Sequence, residues 1–436
     1  MGIATTQQEV IQKKARAPFK LAYKLVLLFL VVYFARPEDW IPGLHYLHLA
    51  KVVGILAILA FLAELGSARR RWPRECVLLF LLLGQMFLTA PFSPVWSGGA
   101  FGVTRNFAYV VPMILVICLA VNTLPRLQRI LFWQVVSVAV IAGVAVVKFR
   151  NAGGRLEGVL NGNYSNPNDL ALAIVIALPI CLAFLLSSRN NLVKMAWLGC
   201  MGVMTYAVVL TASRAGILAF AVAMGVALWH FSIKGRHRYL LVVLGGLAVC
   251  ALLTSGGTLK KRYEAIFNPQ ESGSAWGSAE QRNMLLKRSI VITFEHPLFG
   301  VGPGNFEVVS GVWHVTHNTY TQISSETGLP GFILYMMILW CAWSNLRQAR
   351  RITRARSELG LLTASIQASL AAFLVGSFFA SEGYQYFTYF LIAYTTAVYQ
   401  IAKRAKQSQD ATPEPRPLAS AERSSEEQGE AAWSSV

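Results

Sequence analysis

The feature that most limits what this chain can become is a succession of apolar runs, each near the length of a membrane helix. They fall near 20–35, 49–66, 75–90, 106–122, 130–148, 169–187, 192–212, 216–233, 239–254, 329–346, 359–380 and 386–402. A transmembrane helix needs about 20 mostly apolar residues, and inside hydrocarbon only a helix or a closed barrel satisfies its own backbone. The runs therefore predict an all-α polytopic membrane protein of about twelve helices. Charge content agrees: 14% of the residues are charged, against about 25% in a soluble domain.

The connections test that count. Every second one is basic, carrying Lys13, Lys14 and Arg16, then Arg69 to Arg71 with Arg74, then Arg126 and Arg129. Arg189 with Lys194, the Lys234–Arg238 cluster, the cluster from Arg347 to Arg356, and Lys403 to Lys406 continue the series. A missed helix breaks such an alternation, so the positive-inside bias places these loops and both termini in the cytoplasm. The net charge of +18 is accordingly orientation signal in short loops, and nucleic acid is not an expected partner. Membrane lipid is. No cleavable signal peptide is expected, since the start is polar and the first apolar run lacks a small-residue cleavage site. All six cysteines lie in apolar runs and read as small core residues, neither disulfides nor metal ligands.

The expected organisation is a cytoplasmic N-terminus over 1–19, helices one to nine over 20–254, and a periplasmic catalytic loop over 255–328. Helices ten to twelve follow over 329–402, then a disordered cytoplasmic tail over 403–436, polar from about Gln407. The large loop between helices nine and ten has the length of a small helical subdomain. Ser278 with Gln281 reads as a capping box, and Pro297 ends the helix that follows. Asn166-Pro167-Asn168-Asp169 marks another helix start. No internal repeat is visible, so an inverted-repeat transporter gains no support.

Arg282 to Gly331 is the longest polar interruption before the tail, and it collects residues that no structural role requires. Arg282 and Arg288, with Lys287 adjacent, fit either a basic amphipathic helix on anionic headgroups or a diphosphate clamp. A guanidinium fork matches phosphate oxygens and cannot lose its proton. Arg214, between two apolar runs in TASRAG, is either a snorkelling helix end or functional; its outer placement, against the positive-inside bias, favours the second. Gly300 to Phe306, GVGPGNF, lacks the Lys-Ser/Thr of a P-loop and reads as a tight turn, with N–H groups available to an anion. His317 is either a structural hydrogen bonder or a general base, facing the outer compartment at the first turn of a helix. His314, His317 and Glu326 as a metal site lack a third His or Cys nearby, so no metal and no cofactor are expected.

With those residues in place, the chain resembles the O-antigen ligase family, integral membrane glycosyltransferases that share a Wzy-C-type core. The motifs are TASRAG around Arg214, Arg282 before the run His296 to Phe306, and His317-Asn318-Thr319-Tyr320 leading to Glu326-Thr327-Gly328-Leu329-Pro330-Gly331. The outer loop with Arg155 and NPNDLA is similar to the family's as well. The resemblance implies about twelve membrane helices with a large periplasmic loop. It further implies metal-independent, inverting transfer of a glycan from undecaprenyl diphosphate to an acceptor hydroxyl. By motif it makes Arg214, Arg282 and His317 catalytic. Substrate contacts are expected from Arg288, Arg155, Asn318, Tyr320, Glu326 and Asn305.

The expected partners are an undecaprenyl-diphosphate-linked glycan and an acceptor, lipid A-core foremost, in a bacterial inner membrane. The opening YFARPEDWIPG is similar to members found beside exosortase-type export systems, which leaves a protein or another glycan open as acceptor. A protein O-oligosaccharyltransferase and a repeat-unit polymerase are the alternatives. A transporter needs charges lining its spans, and outside Arg214 the runs are nearly uncharged.

Overall fold

The computed structural model describes residues 19–67, 72–148, 156, 164, 166–233, 273–353 and 357–410. Among them there is no strand, and nine helices are long and apolar enough to cross a membrane. Three further runs of the expected dozen are not among these nine. The helix α1 (Lys20–Ala35) is only 16 residues long. The run 239–254 lies outside the described residues. The last helix (Tyr386–Asp410) is rich in Tyr and Thr, and it buries Tyr389, Tyr394, Thr388, Thr395 and Thr396 against protein rather than lipid.

The following helices are α2 (Leu49–Glu64), α3 (Arg74–Thr89), α4 (Ser97–Ala108), α5 (Val110–Ala120), α6 (Leu124–Lys148), α7 (Pro167–Ser187), α8 (Asn191–Leu210) and α9 (Arg214–Leu228). Then come α10 (Gly273–Glu295), α11 (Thr319–Ile352), α12 (Glu358–Gly376) and α13 (Tyr386–Asp410). Several boundaries differ from the sequence reading, each for a local reason. One span begins at Ser97 rather than near 106, through the glycines of SGGAFG; it breaks at Tyr109, where Pro112 cannot donate to Ala108. The helix α10 is already running at Gly273, so Ser278 and Gln281 are interior to it rather than at its start. α13 continues to Asp410, which makes 403–410 helical rather than tail. Residues 411–436 lie outside the described set.

α7 is the central post, with all but a few of its residues buried. Asn166 caps it by accepting from Asn168 N (2.9 Å), and Pro167 sits where no N–H is missed. Pro179 leaves Val175 without its helical donor, and one residue on the Ser369 hydroxyl of α12 donates to Ile176 O (2.7 Å). Small residues let the neighbours close in. A Cβ on Gly216 of α9 would lie 2.6 Å from the Ala171 methyl, and one on Gly376 of α12 would lie 2.4 Å from a Leu172 methyl. The start of α9 and the end of α12 are thus brought to the start of α7, at one end of the bundle.

α11 is two helices joined at Gly328, whose φ of 72° and ψ of 179° are not helical. The expected boundary at 328/329 coincides with this kink, and the helix itself starts ten residues earlier, at Thr319. The corner from Pro297 to Phe306 is fitted over the kink. Leu329 N donates to Pro297 O (2.7 Å), Val301 N to Ser325 O (2.9 Å) and Gly302 N to Glu326 O (3.0 Å). Here glycine is required twice. Gly328 and Gly300 both have positive φ, and a Cβ on Gly328 would lie 2.6 Å from the Leu298 carbonyl carbon. Gly328→Ala is expected to lose about 1–3 kcal/mol to a positive-φ, extended backbone that only glycine adopts freely and about 1–3 kcal/mol more to overpacking. A lowered thermal midpoint of the solubilised protein measures it.

Candidate active site

Where α9 begins, α12 ends and α11 begins, a cavity of about 400 Å³ opens, with α10 along one side. Its polar lining is Arg214, Arg282, Asn283, Thr316, His317 and Asn318. Its apolar lining is Leu218, Leu286, Phe378 and Phe379, together with Ala215. Among the described residues none that lines it is acidic.

Arg214 is the first residue of α9. The cap is Ser213, whose hydroxyl accepts from Gly216 N (3.0 Å) and donates to Asn168 Oδ1 (2.6 Å) at the head of α7. The guanidinium therefore shares its place with the positive end of a helix, which favours a bound anion twice over. Arg282 arrives from another direction. α10 buries Leu285, Ser289, Ile292 and Thr293, and the Thr293 hydroxyl pairs with that of Ser324 on α11 at 2.8 Å. That seam presents Arg282 to the cavity. Burial lowers the Arg282 pKa, and the charge of Arg214 lowers it further. Two guanidinium groups close enough to repel, without a lining carboxylate, form a site for negative charge.

His317 is held in a conformation that few residues choose, with φ at 51°. Its neighbours enforce it. Asn318 caps α11, its Oδ1 accepting from Tyr320 N (2.9 Å) and Thr321 N (3.1 Å), while the Thr316 hydroxyl donates to Asn318 O (2.9 Å). Thr319 N donates to Ser377 O (2.8 Å) and the Thr319 hydroxyl to Ala380 O (2.7 Å), which ties the start of α11 to the end of α12. His317 therefore precedes the helix rather than lying in its first turn. Burial, then Arg282, then His314 press its pKa down to about 4. The imidazole is neutral at neutral pH, as a proton acceptor must be.

The other expected contacts separate. Asn318 lines the cavity, although its side chain is engaged as a cap. Tyr320 does not line it. Its hydroxyl donates to Leu374 O (2.7 Å), and its ring packs against Phe378 at 4.6 Å, supporting the wall from behind. Asn305 is buried, donating to Ser93 Oγ (2.6 Å) and Trp96 O (2.9 Å), and so fastens the Gly-rich turn to the loop before α4. Glu326 is buried too, accepting from the Tyr384 hydroxyl (2.8 Å) and from the backbone N–H groups of Gly304 and Phe306. GVGPGNF is thus a tight turn, as expected, and its N–H groups are directed at the protein's own Glu326 side chain. Arg288 is exposed on α10 and lines no part of the cavity. Arg155 lies outside the described residues. No three His, Cys, Asp or Glu side chains among the described residues gather as a metal would require.

Sequence reasoning missed the apolar half of the cavity. Phe378 and Phe379 follow α12, some sixty residues after His317, and as part of an apolar run they carried no mark of a site. Asn283 was available, being next to Arg282. Among families of known proteins, the model for O-antigen ligase matches residues 199–336, which contain Arg214, Arg282 and His317. No curated protein matches the chain.

Proposed function

From the match of residues 199–336 to the O-antigen ligase family model, we propose that the chain is a ligase of this kind and moves a glycan from undecaprenyl diphosphate to an acceptor hydroxyl. The reading rests on one observation: Arg214, Arg282 and His317, distant in sequence, line one cavity. Lipid A-core is the foremost acceptor. The cavity faces the periplasm of a bacterium whose inner membrane holds the spans, with both termini in the cytoplasm.

The donor's diphosphate binds Arg214, Arg282 and the N-terminus of α9, and the apolar wall takes the adjoining isoprenoid. The acceptor oxygen attacks the anomeric carbon from the face opposite the diphosphate, so the new C–O bond forms with inversion as the bond to the diphosphate oxygen breaks. His317 takes the hydroxyl proton. Negative charge grows on the leaving diphosphate, and fixed guanidinium groups stabilise it more in the transition state than in the ground state. Bound diphosphate also offsets the charge of Arg282, one of the causes of the low His317 pKa. Donor binding thereby raises the basicity of the group that needs it.

A pH profile follows with a definite sign. A protonated imidazole accepts nothing, so kcat/KM, which reports the free enzyme, is expected to fall as pH drops toward about 4. The acid limb of kcat, which reports the donor-bound enzyme, is expected at higher pH. Coincident limbs remove the coupling between diphosphate and His317.

The test is reconstitution of the full chain in proteoliposomes with a lipid-diphosphate glycan, followed by mass analysis of the products. Glycan on lipid A-core is the expected result. Glycan on protein, or a lengthened glycan still on its carrier, changes the acceptor and keeps the transferase. Translocation of the donor without any transfer overturns the reading.

A further inference from the structure

The helix α10 has a second face that the cavity does not use. Opposite its buried stripe it exposes Met284, Ile290, Val291 and Phe294, with Phe294 70% exposed, and Lys287 lies among them at helical spacing. Arg288 and Glu295 flank this face and Glu280 is near its start, so its net charge is close to zero and its character is apolar with one central cation. The corner beyond the helix continues the apolar surface through Leu298, 62% exposed, and Phe299.

The depth of that corner is fixed by a membrane span. Gln85, inside the candidate span Arg74–Phe92, donates to Leu298 O (3.0 Å) and to Thr327 O (3.0 Å). Phe92, at the end of the same span, stacks on Phe299 with ring centroids 4.4 Å apart. From Gln85 to Phe92 a helix rises about 10 Å. Leu298 and Phe299 therefore lie at the level of the last two turns of a span, where lipid surrounds the protein. Phe294 and Val291 are on the same side of α10, and Lys287 is about 10 Å further from the corner along the axis at 1.5 Å per residue. A lysine with an apolar stem, set among such neighbours, extends its ammonium toward the headgroup phosphates.

We propose that α10 and the corner after it are seated in the lipid leaflet on the cavity side, with Lys287 taking up a lipid headgroup phosphate. The same helix presents Arg282 to the cavity, so the guanidinium that meets a substrate phosphate is carried at the level of the lipid phosphates.

Spin labels test this without any assay of transfer, so failure here is distinct from failure of the glycan reading. Labels on Phe294→Cys and Val291→Cys, in the full chain with native cysteines changed to alanine, are compared in phosphatidylethanolamine–phosphatidylglycerol vesicles. Leu59→Cys in a span and Lys406→Cys beyond one are the references. The expected result is preferential collision with oxygen, as at 59. Preferential collision with a nickel chelate, as at 406, overturns the proposal, and so does shielding from both reagents, the sign of a protein partner. Should the cysteine-free background fail to fold, the native chain is irradiated with a phospholipid bearing an acyl diazirine. Adducts on the peptide 289–299 support the seating, and adducts confined to the spans reject it. For the phosphate contact, Lys287→Glu is expected to shift the label at 291 toward the chelate, and no shift removes Lys287 from that role.

Discussion

His317→Ala is expected to lower transfer by about 10²–10⁴, the usual contribution of a positioned general base, while leaving donor binding nearly intact. The binding groups are elsewhere in the cavity, on α9 and α10, where the Ser213 cap and the Thr293–Ser324 pair hold their helices. The backbone complicates a simple deletion, since His317 has a φ of 51° that alanine adopts reluctantly. His317→Asn resolves this. Asparagine tolerates the left-handed region and can hydrogen-bond, yet cannot serve as a base near neutral pH. The Asn variant is expected to melt like the parent and to transfer as poorly as the Ala variant. Single-turnover rates with saturating donor decide it: near-parental transfer by the Asn variant takes His317 out of the chemistry.

Loss of either arginine is expected to be the other large effect. A hydrogen bond to a charged group contributes about 1.5–3 kcal/mol, or roughly tenfold to 150-fold at 1.4 kcal/mol per decade. Arg282→Ala and Arg214→Ala should each weaken the donor by that range or more, measured as kcat/KM. Lysine keeps the charge and loses the planar fork, so Arg282→Lys should recover only part. Full activity with lysine at both positions removes the bidentate contact. Arg282→Ala carries a second signature. The charge of Arg282 is one of the causes that hold His317 near 4, so its removal moves the acid limb of kcat/KM upward in pH, and Arg282→Lys should leave that limb in place. A protein merely misfolded by the substitution gives no such contrast between the two variants.

Where periodicity decides, the sequence was a good guide. Runs of apolar residues located the spans, and Asn166-Pro167 marked a helix start from local chemistry alone. His317, Arg214 and Arg282 stood out because polar groups are costly beside lipid and therefore conspicuous. Tertiary partners were the hidden part. Asn305 and Glu326 have the residue types of substrate contacts, but their partners Ser93, Trp96 and Tyr384 lie some 58 to 212 residues away along the chain. Nothing local announces such a bond. Arg288 is set apart by helix geometry: six residues from Arg282, it is rotated about 120° from the side that meets the cavity, at 100° per residue. Phe378 and Phe379 were invisible because an apolar wall and an apolar span are written with the same letters.

The break in α11 at Gly328 sets a condition on how this protein can be made and divided. Irregular backbone within a span is tolerated where protein covers it, and the cover here is the Pro297–Gly302 corner, joined to it through Leu329, Ser325 and Glu326. That corner precedes α11 in the chain, so during synthesis the shield exists before the segment it shields emerges. A fragment beginning after Gly304 would offer the acyl chains bare carbonyls at Ser325 and Glu326, and the piece before it would lack its seat. Chain order makes the two inseparable.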